Sequence, residues 1–242
     1  LAAVGALARQ LDIRLSIHPG QYIVLNSADE AVASKSVLDV VAHARILDLM
    51  GLGPEAVVVL HAGSGAGGME AASRRFVERY LLLPEETQAR LAIENDESVF
   101  AVPDILRLHE ATGARLVFDL LHFNLNNPDR RTAVEALGPM LATWPAQVVP
   151  KIHLSSPRTE MVIDQVKDAE TGKKVPRARP PQWTQHSDYA NPFEAIAFLH
   201  AAVEAGLRPF DCMLELKSKD VGLLQLREDL MRFAPELARV WA

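Results

Sequence analysis

The chain has 242 residues, 49% hydrophobic and 23% charged, with a formal net charge of −6. That length supports one large domain or an α/β barrel, and the balance is that of an ordinary globular protein. The negative charge argues against a protein that coats nucleic acid nonspecifically, and no apolar run approaches the roughly 20 residues that span a bilayer. Leu1–Leu11 lacks the basic region and cleavage pattern of a signal peptide, and the single cysteine, Cys212, excludes an internal disulfide. A reducing, cytoplasmic setting is expected, with Cys212 a buried structural thiol.

In chain order, Leu1–Leu11 has a helical apolar pattern. The first apolar run, Ile13–His18, ends in a histidine. Further runs of the same kind are Ala56–His61, Leu91–Glu94, Arg115–Asp119, Val148–His153 and Asp211–Glu215. Each ends in a His, Asp or Glu. Helical periodicity fills the intervals at Ala31–Leu49, Met69–Leu82, Pro84–Arg90, Pro103–Ala111, Pro128–Leu141, Pro192–Ala205 and Val221–Trp241. Pro103, Pro128 and Pro192 suit first helical turns, Asn191 suits an N-cap, and Gly51 and Gly113 suit positions after helix ends. Strands alternating with helices predict parallel βα units, and continuous apolar runs predict strands buried on both faces. Functional groups at the C-terminal ends of such strands favour a (β/α)8 barrel over a doubly wound sheet. Six strands are found instead of eight. The expected fold is therefore α/β, a TIM-type (β/α)8 barrel lacking its first two strands. Residues 1–242 form a single domain, incomplete at its N-terminus, with a long basic loop or hairpin insert at 155–185. Within the insert, Val162–Val175 is expected to be the hairpin, turning near Thr171–Gly172.

An apolar strand gains nothing from an ionisable last residue, because burying a charge costs several kcal/mol, roughly, unless it is paired or binds a metal. Six such endings point to one shared metal site. His18, before Pro19-Gly20, is either a ligand or a turn residue. His61 opens a Gly-rich stretch, 61–68, that either contacts phosphate or is a plain connection. Glu94 could bridge two cations. Asp119 and His122 stand three apart, and Lys151 and His153 point to the same side of a strand. His186 follows the insert and Glu215 ends the last strand. Of the eight histidines, His43, His109 and His200 lie in helical stretches and read as surface or packing residues. Five histidines and three carboxylates exceed one tetrahedral zinc and suit two or three divalent ions, zinc or manganese. Two ions about 3.5–4 Å apart can drive in-line displacement at a phosphodiester.

Four motifs, Ile17-His18-Pro19-Gly20-Gln21-Tyr22, Phe118-Asp119-Leu120-Leu121-His122, Lys151-Ile152-His153-Leu154-Ser155 and His186-Ser187-Asp188-Tyr189, resemble the UV damage endonuclease family, a metal-dependent TIM-barrel family related to endonuclease IV. The resemblance runs from about Ser16 to Lys217. It implies a DNA repair endonuclease that nicks on the 5′ side of UV photoproducts and related lesions. It also implies the metal ligands His18, His61, Glu94, Asp119, His122, His153, His186 and Glu215, with Glu94 bridging. Glu94, Lys151 and Glu215 would be catalytic, Lys151 as a lysine that can be carboxylated. Gln21 and Tyr22 match the pair that probes the damaged dinucleotide. Lys173, Lys174, Arg177 and Arg179 in the insert could reach the DNA backbone or belong to a solvated hairpin. The implied cofactors are two or three divalent ions, manganese first and zinc or magnesium as alternatives. The implied partner is damaged duplex DNA, with no membrane and no obligate protein partner, the protein acting as a monomer. The competing readings are a metal-dependent sugar isomerase or epimerase on a similar barrel and an inactive truncated fragment.

Overall fold

The computed structural model describes residues 1–241 and divides them into two compact units, Leu1–His153 with Gly206–Cys212, and Leu154–Ala205 with the described residues from Met213 onward. The first holds α1 (Ala2–Gln10), α2 (Glu30–Leu49), β1 (Val58–His61), α3 (Met69–Leu81), α4 (Glu85–Gln88), β2 (Leu91–Glu94), α5 (Val102–Thr112), β3 (Arg115–Asp119), α6 (Leu120–Leu125), α7 (Ala133–Ala142) and nearly all of β4 (Lys151–Leu154). The second holds the hairpin β5 (Val162–Lys167) and β6 (Lys174–Arg179) and helix α8 (Pro192–Glu204). After β7 (Asp211–Leu214), along which the boundary falls, it continues with α9 (Lys219–Phe233) and α10 (Pro235–Trp241). The larger sheet runs β1-β2-β3-β4-β7, with parallel pairing from β1 through β4. The fold is α/β.

Burial explains the helices. Ala72, Phe76 and Tyr80 recur every fourth residue along α3, and Ala33, Ser36, Val40, Ala44 and Leu47 make the buried stripe of α2. Strands β2, β3 and β4 are buried at every residue, as expected of a parallel sheet covered on both faces. One face carries Val57, Val59, Ala92 and Val117, packed with Trp144 and Val148.

Four arginines, three of them just ahead of a strand or at its start and Arg14 just ahead of the bridge residue Ile17, donate to backbone carbonyls at this end of the sheet. Arg14 reaches Glu55 and Val149, Arg90 reaches Leu52, Gly53 and Ala56, and Arg115 reaches Pro54 and Ala89. Arg208 reaches five carbonyls between Leu141 and Val148. The guanidinium carbons of Arg14 and Arg115 sit 5.3 and 5.0 Å from the Trp144 ring, and Trp144 Nε1 donates to the Leu116 carbonyl at 2.6 Å. These contacts fasten the strand starts, at the end opposite the ionisable residues.

Several sequence expectations need correction. Among the described residues the larger sheet has five strands, not six: Ile13–His18 makes a single bridge there, Ile17 to Val58. Its ladder bonds go to one neighbour, Ile17 N to the Val57 carbonyl and Val59 N to the Ile17 carbonyl, and Pro19 has no N–H to extend them. The helix expected from Pro128 starts at Ala133, because Thr132 and Glu135 form a capping box. A short helix, α6, follows β3 at once, started by the Asp119 carboxylate accepting from His122 N. The last helical run is two helices, since Pro235 cannot continue α9. Asn191 caps α8, Gly113 ends α5 at φ 72°, and the hairpin turns through Gly172 at φ 65°, as the sequence implied.

Trp144→Ala should cost about 3–5 kcal/mol of stability, as a buried aromatic truncation with a lost hydrogen bond. Urea unfolding would check this, and Trp144→Phe should recover most of the loss. Equal stability of all three proteins would remove Trp144 from its central place.

Candidate metal centre

Parallel register sets the strand-end residues side by side. His61 of β1 is the Cα partner of Glu94 in β2, and Asp119 of β3 is the partner of His153 in β4. Asp119 also begins α6, which returns His122 toward it: His122 N donates to Asp119 Oδ1 at 2.7 Å.

Glu94 is at the centre and is fully buried. Its Oε2 lies 2.9 Å from His18 Nε2 and 3.7 Å from His61 Nε2. Its Oε1 lies 2.8 Å from His153 Nδ1 and 3.8 Å from His122 Nδ1. The imidazole centroids of His18 and His61, and of His61 and His122, are each 5.4 Å apart. Burial pushes the Glu94 carboxyl upward, but the His153 charge, hydrogen bonds from His153 and His18, and His61 outweigh it and hold the group well below the usual carboxylate range. Asp119 is different. Burial dominates, Glu94 adds repulsion, and despite His122 its carboxyl is pushed up to about 7. His122 is raised, because Asp119, Glu94 and Glu97 together overcome its burial.

Donor atoms of His18, Glu94 and His153 lie within 4.8 Å of one another, as do those of His61, Glu94 and His122, so each group could hold a cation. Divalent metal fits this chemistry. Asp119 Oδ2 and His61 Nδ1 are buried without a hydrogen-bond partner, a state that costs free energy unless something positive or acidic is supplied.

Six of the eight expected ligands thus share the first unit. In the second unit His186 and Glu215 form their own pair, Nε2 to Oε2 at 3.7 Å, with Ser155 Oγ 2.7 Å from His186 Nδ1. Lys151 is buried and donates from Nζ to Ser16 Oγ at 2.6 Å. Gln21 and Tyr22 stand exposed on a turn closed by Ile23 N to the Gly20 carbonyl, Tyr22 at 83% exposure. Lys174 of the hairpin lies across from Lys167, Arg177 lies across from Asp164, Arg179 pairs with Asp164, and Lys173 is exposed beside the turn. His43, His109 and His200 have local partners, the Asp39 carbonyl, the Ala114 carbonyl and Glu236. Cys212 is half-buried rather than fully enclosed, since β7 alternates exposed and covered residues; burial pushes its thiol up to about 12.

Sequence reasoning passed over Asn95 and Glu97. Buried Asn95 pairs with the Asp119 backbone through both amide atoms, and its carbonyl meets His122 Nδ1 at 3.1 Å. Glu97 Oε2 is 3.9 Å from His122 Nε2. Their signal was the polar run Asn95-Asp96-Glu97 directly after a buried strand.

A carboxyl raised from 3.8 to about 7 means the metal-free native state holds a proton that the unfolded chain releases near pH 4. Stability from this group therefore falls as pH rises from about 4 through about 7. In chelator at pH 8, Asp119→Asn should stabilise the protein by roughly 1–3 kcal/mol while weakening metal uptake. Denaturation midpoints at pH 5 and pH 8 check this, and identical pH profiles for parent and variant would contradict the assigned shift.

Known proteins share both the sequence pattern and the fold. The family model for UV-endonuclease UvdE matches residues 1–240. The UV DNA damage endonuclease of Halalkalibacterium halodurans is 30% identical over 234 residues, 96% of this chain and 66% of that protein. The chain thus spans just under two thirds of that relative's length. The crystal structure of SacUVDE superposes with a TM-score of 0.76 at 31% identity, covering 96% of this chain and 70% of that one. Endonuclease IV from Thermus thermophilus, at 16% identity and a TM-score of 0.61 over 96% of this chain and 81% of that one, shares the fold. On the family match along nearly its whole length, this chain belongs to the UV-endonuclease UvdE family.

Proposed function

We propose that the protein is a metal-dependent DNA repair endonuclease that nicks the phosphodiester 5′ to UV photoproducts and related lesions in duplex DNA. The observation that carries this reading is the ionised, fully buried Glu94 among four imidazoles, one of which, His18, begins the segment presenting Gln21 and Tyr22. Family membership and the relative's name agree with it.

The proposed ligands are His18, His61, Glu94, Asp119, His122 and His153 in the first unit, and His186 and Glu215 in the second. Two or three divalent ions, manganese first, would supply Lewis-acid polarisation of the phosphoryl oxygens. The chain's own part is preparation. Glu94 is held ionised by its histidines. Asp119 would release its carboxyl proton on ligating a cation. Asn95 keeps the Asp119 backbone in place. Lys151, a buried cation on the ligand side of β4, is proposed to be carboxylated: its neutral amine adds CO2 and loses a proton, which turns a cation into an anion. Glu215 is proposed as a further acidic catalytic residue. Gln21 and Tyr22 probe the lesion, where an amide and an aromatic on a closed turn can enter a stack that damage has already weakened. Lys173, Lys174, Arg177 and Arg179 are proposed to meet the DNA backbone.

We further propose that the sheet is part of a (β/α)8-type barrel, with its first two strands outside this sequence. Support comes from the exposed Asp211 and Met213 on β7 and the exposed Leu1, Val4 and Leu7 on α1.

On a duplex with one defined photoproduct, nicking 5′ to the lesion is expected with Mn²⁺, is lost with chelator, and falls roughly 100-fold or more in His61→Ala. An intact duplex in the presence of a metal-filled protein that turns over a sugar would replace this reading with the isomerase one. Separately, Lys173→Ala with Lys174→Ala should lower the slope of log affinity against log salt by about 1–2 units on the same duplex. An unchanged slope would leave the hairpin off the DNA.

A further inference from the structure

The segment carrying Gln21 and Tyr22 and the Gly-rich segment after His61 are joined by one side chain. Asn26 is completely buried. Its Nδ2 donates to the Ser64 carbonyl at 2.7 Å, and its Oδ1 accepts from Ser64 N at 2.9 Å. The side-chain amide thus pairs with a peptide unit as a neighbouring strand would. The approach is close. Gly63 has φ 106°, and a Cβ there would meet Asn26 Oδ1 at 2.2 Å. Any other residue at position 63 would be strained at that φ and would displace the Asn26 side chain from its place.

The same two segments are tied a second time. Arg75 Nε donates to the Asn26 carbonyl at 2.8 Å, and its Nη2 donates to the Ala66 carbonyl. Arg79 Nη1 fastens the carbonyls on either side, Leu25 at 2.7 Å and Ser27 at 2.6 Å. Both arginines extend from α3, the helix that the Gly-rich segment leads into. One segment begins at His18 and the other at His61, whose rings are 5.4 Å apart beside Glu94. The two segments therefore close a ring: joined at their bases through the histidines and Glu94, and joined again through Asn26 and Ser64.

We propose that Asn26 is a positioning residue: by locking the Gln21–Tyr22 segment to the segment leaving His61, it sets the offset between the DNA step that is probed and the phosphodiester that is cut. This inference rests on the nuclease reading and deepens it. Asn26 touches neither DNA nor metal in this scheme. It acts by geometry, and displacement of a substrate by about 1 Å can cost on the order of 100-fold in rate.

The test compares parent, Asn26→Asp and Asn26→Ala proteins. Asp keeps the shape and one acceptor but cannot donate to the Ser64 carbonyl. Three quantities are read: bound Mn²⁺ per chain, the nick position on an end-labelled duplex with one photoproduct together with the lesion-to-undamaged rate ratio, and hydrogen exchange of backbone amides in segments 20–27 and 62–68. The expected result for Asn26→Ala is unchanged metal content, at least a tenfold loss of lesion selectivity with cuts spread to neighbouring phosphodiesters, and faster exchange in both segments together. Asn26→Asp should fall between. A merely structural role would lower rate or stability and leave cut position and selectivity alone, and that result would overturn the proposal. Faster exchange in only one segment would overturn it too. Should the parent protein nick nothing, the nuclease reading fails, and joint or separate loosening of the two segments still decides whether Asn26 is the lock.

Discussion

A fully buried carboxylate, Glu94, is the constraint on which the remaining features depend. An isolated ionised group in that position would cost several kcal/mol, roughly, and would take up a proton instead. It stays ionised because His153, His18 and His61 converge on it from three separate places in the chain, with His122 close by. That convergence is only possible if β1 to β4 lie in one fixed register, since slipping a strand by one residue would turn its last side chain to the other face. Packing and charge therefore specify the same alignment. Asp119, one strand over, lacks enough positive neighbours and holds its proton near neutral pH. Two buried carboxylates thus stand on neighbouring strands, one held ionised and one holding its proton.

Much of this was legible in the sequence, for a physical reason. An ionisable residue at the end of an apolar run conflicts with its surroundings, and six such conflicts at equivalent places are informative without any structure. Leu91–Glu94 and Arg115–Asp119 are strands with those bounds. What was not legible depends on partners far apart in sequence. Ile13–His18 has the composition of a strand, yet strand formation needs a neighbour's N–H and C=O groups, and this segment finds them on one side only. Asn26 and Asn95 sit in polar loop sequence that reads as solvent-facing, because an amide that pairs with backbone leaves no periodic trace. The arginine contacts to strand starts were invisible for the same reason, since their acceptors are carbonyls that every residue owns.

Rigidity is distributed unevenly and in keeping with use. Exposed Tyr22 stands on a turn that leads into four fastened residues, Val24 N to Ser36 Oγ, Leu25 and Ser27 through Arg79, and Asn26 through Ser64. An exposed side chain on such a base loses less freedom when it makes a contact. The hairpin of β5 and β6 is held mainly by its own ladder and turn, with two lysines facing each other across it. Like charges in that position repel, and an anion between them relieves the repulsion.

The two ends of the first unit's sheet respond differently to acid. One end is held by imidazoles and carboxylates, among which Asp119 is pushed up to about 7 and His122 is raised. The other is held by guanidinium groups bonded to carbonyls, and even Arg115, the most perturbed, loses its proton only at about 10. The guanidinium contacts therefore keep the strands anchored at their starts across the range in which Asp119 gains or loses its proton. The strand starts are thus fastened by contacts indifferent to the protonation of the candidate ligands, so the alignment of those ligands has an anchor of its own.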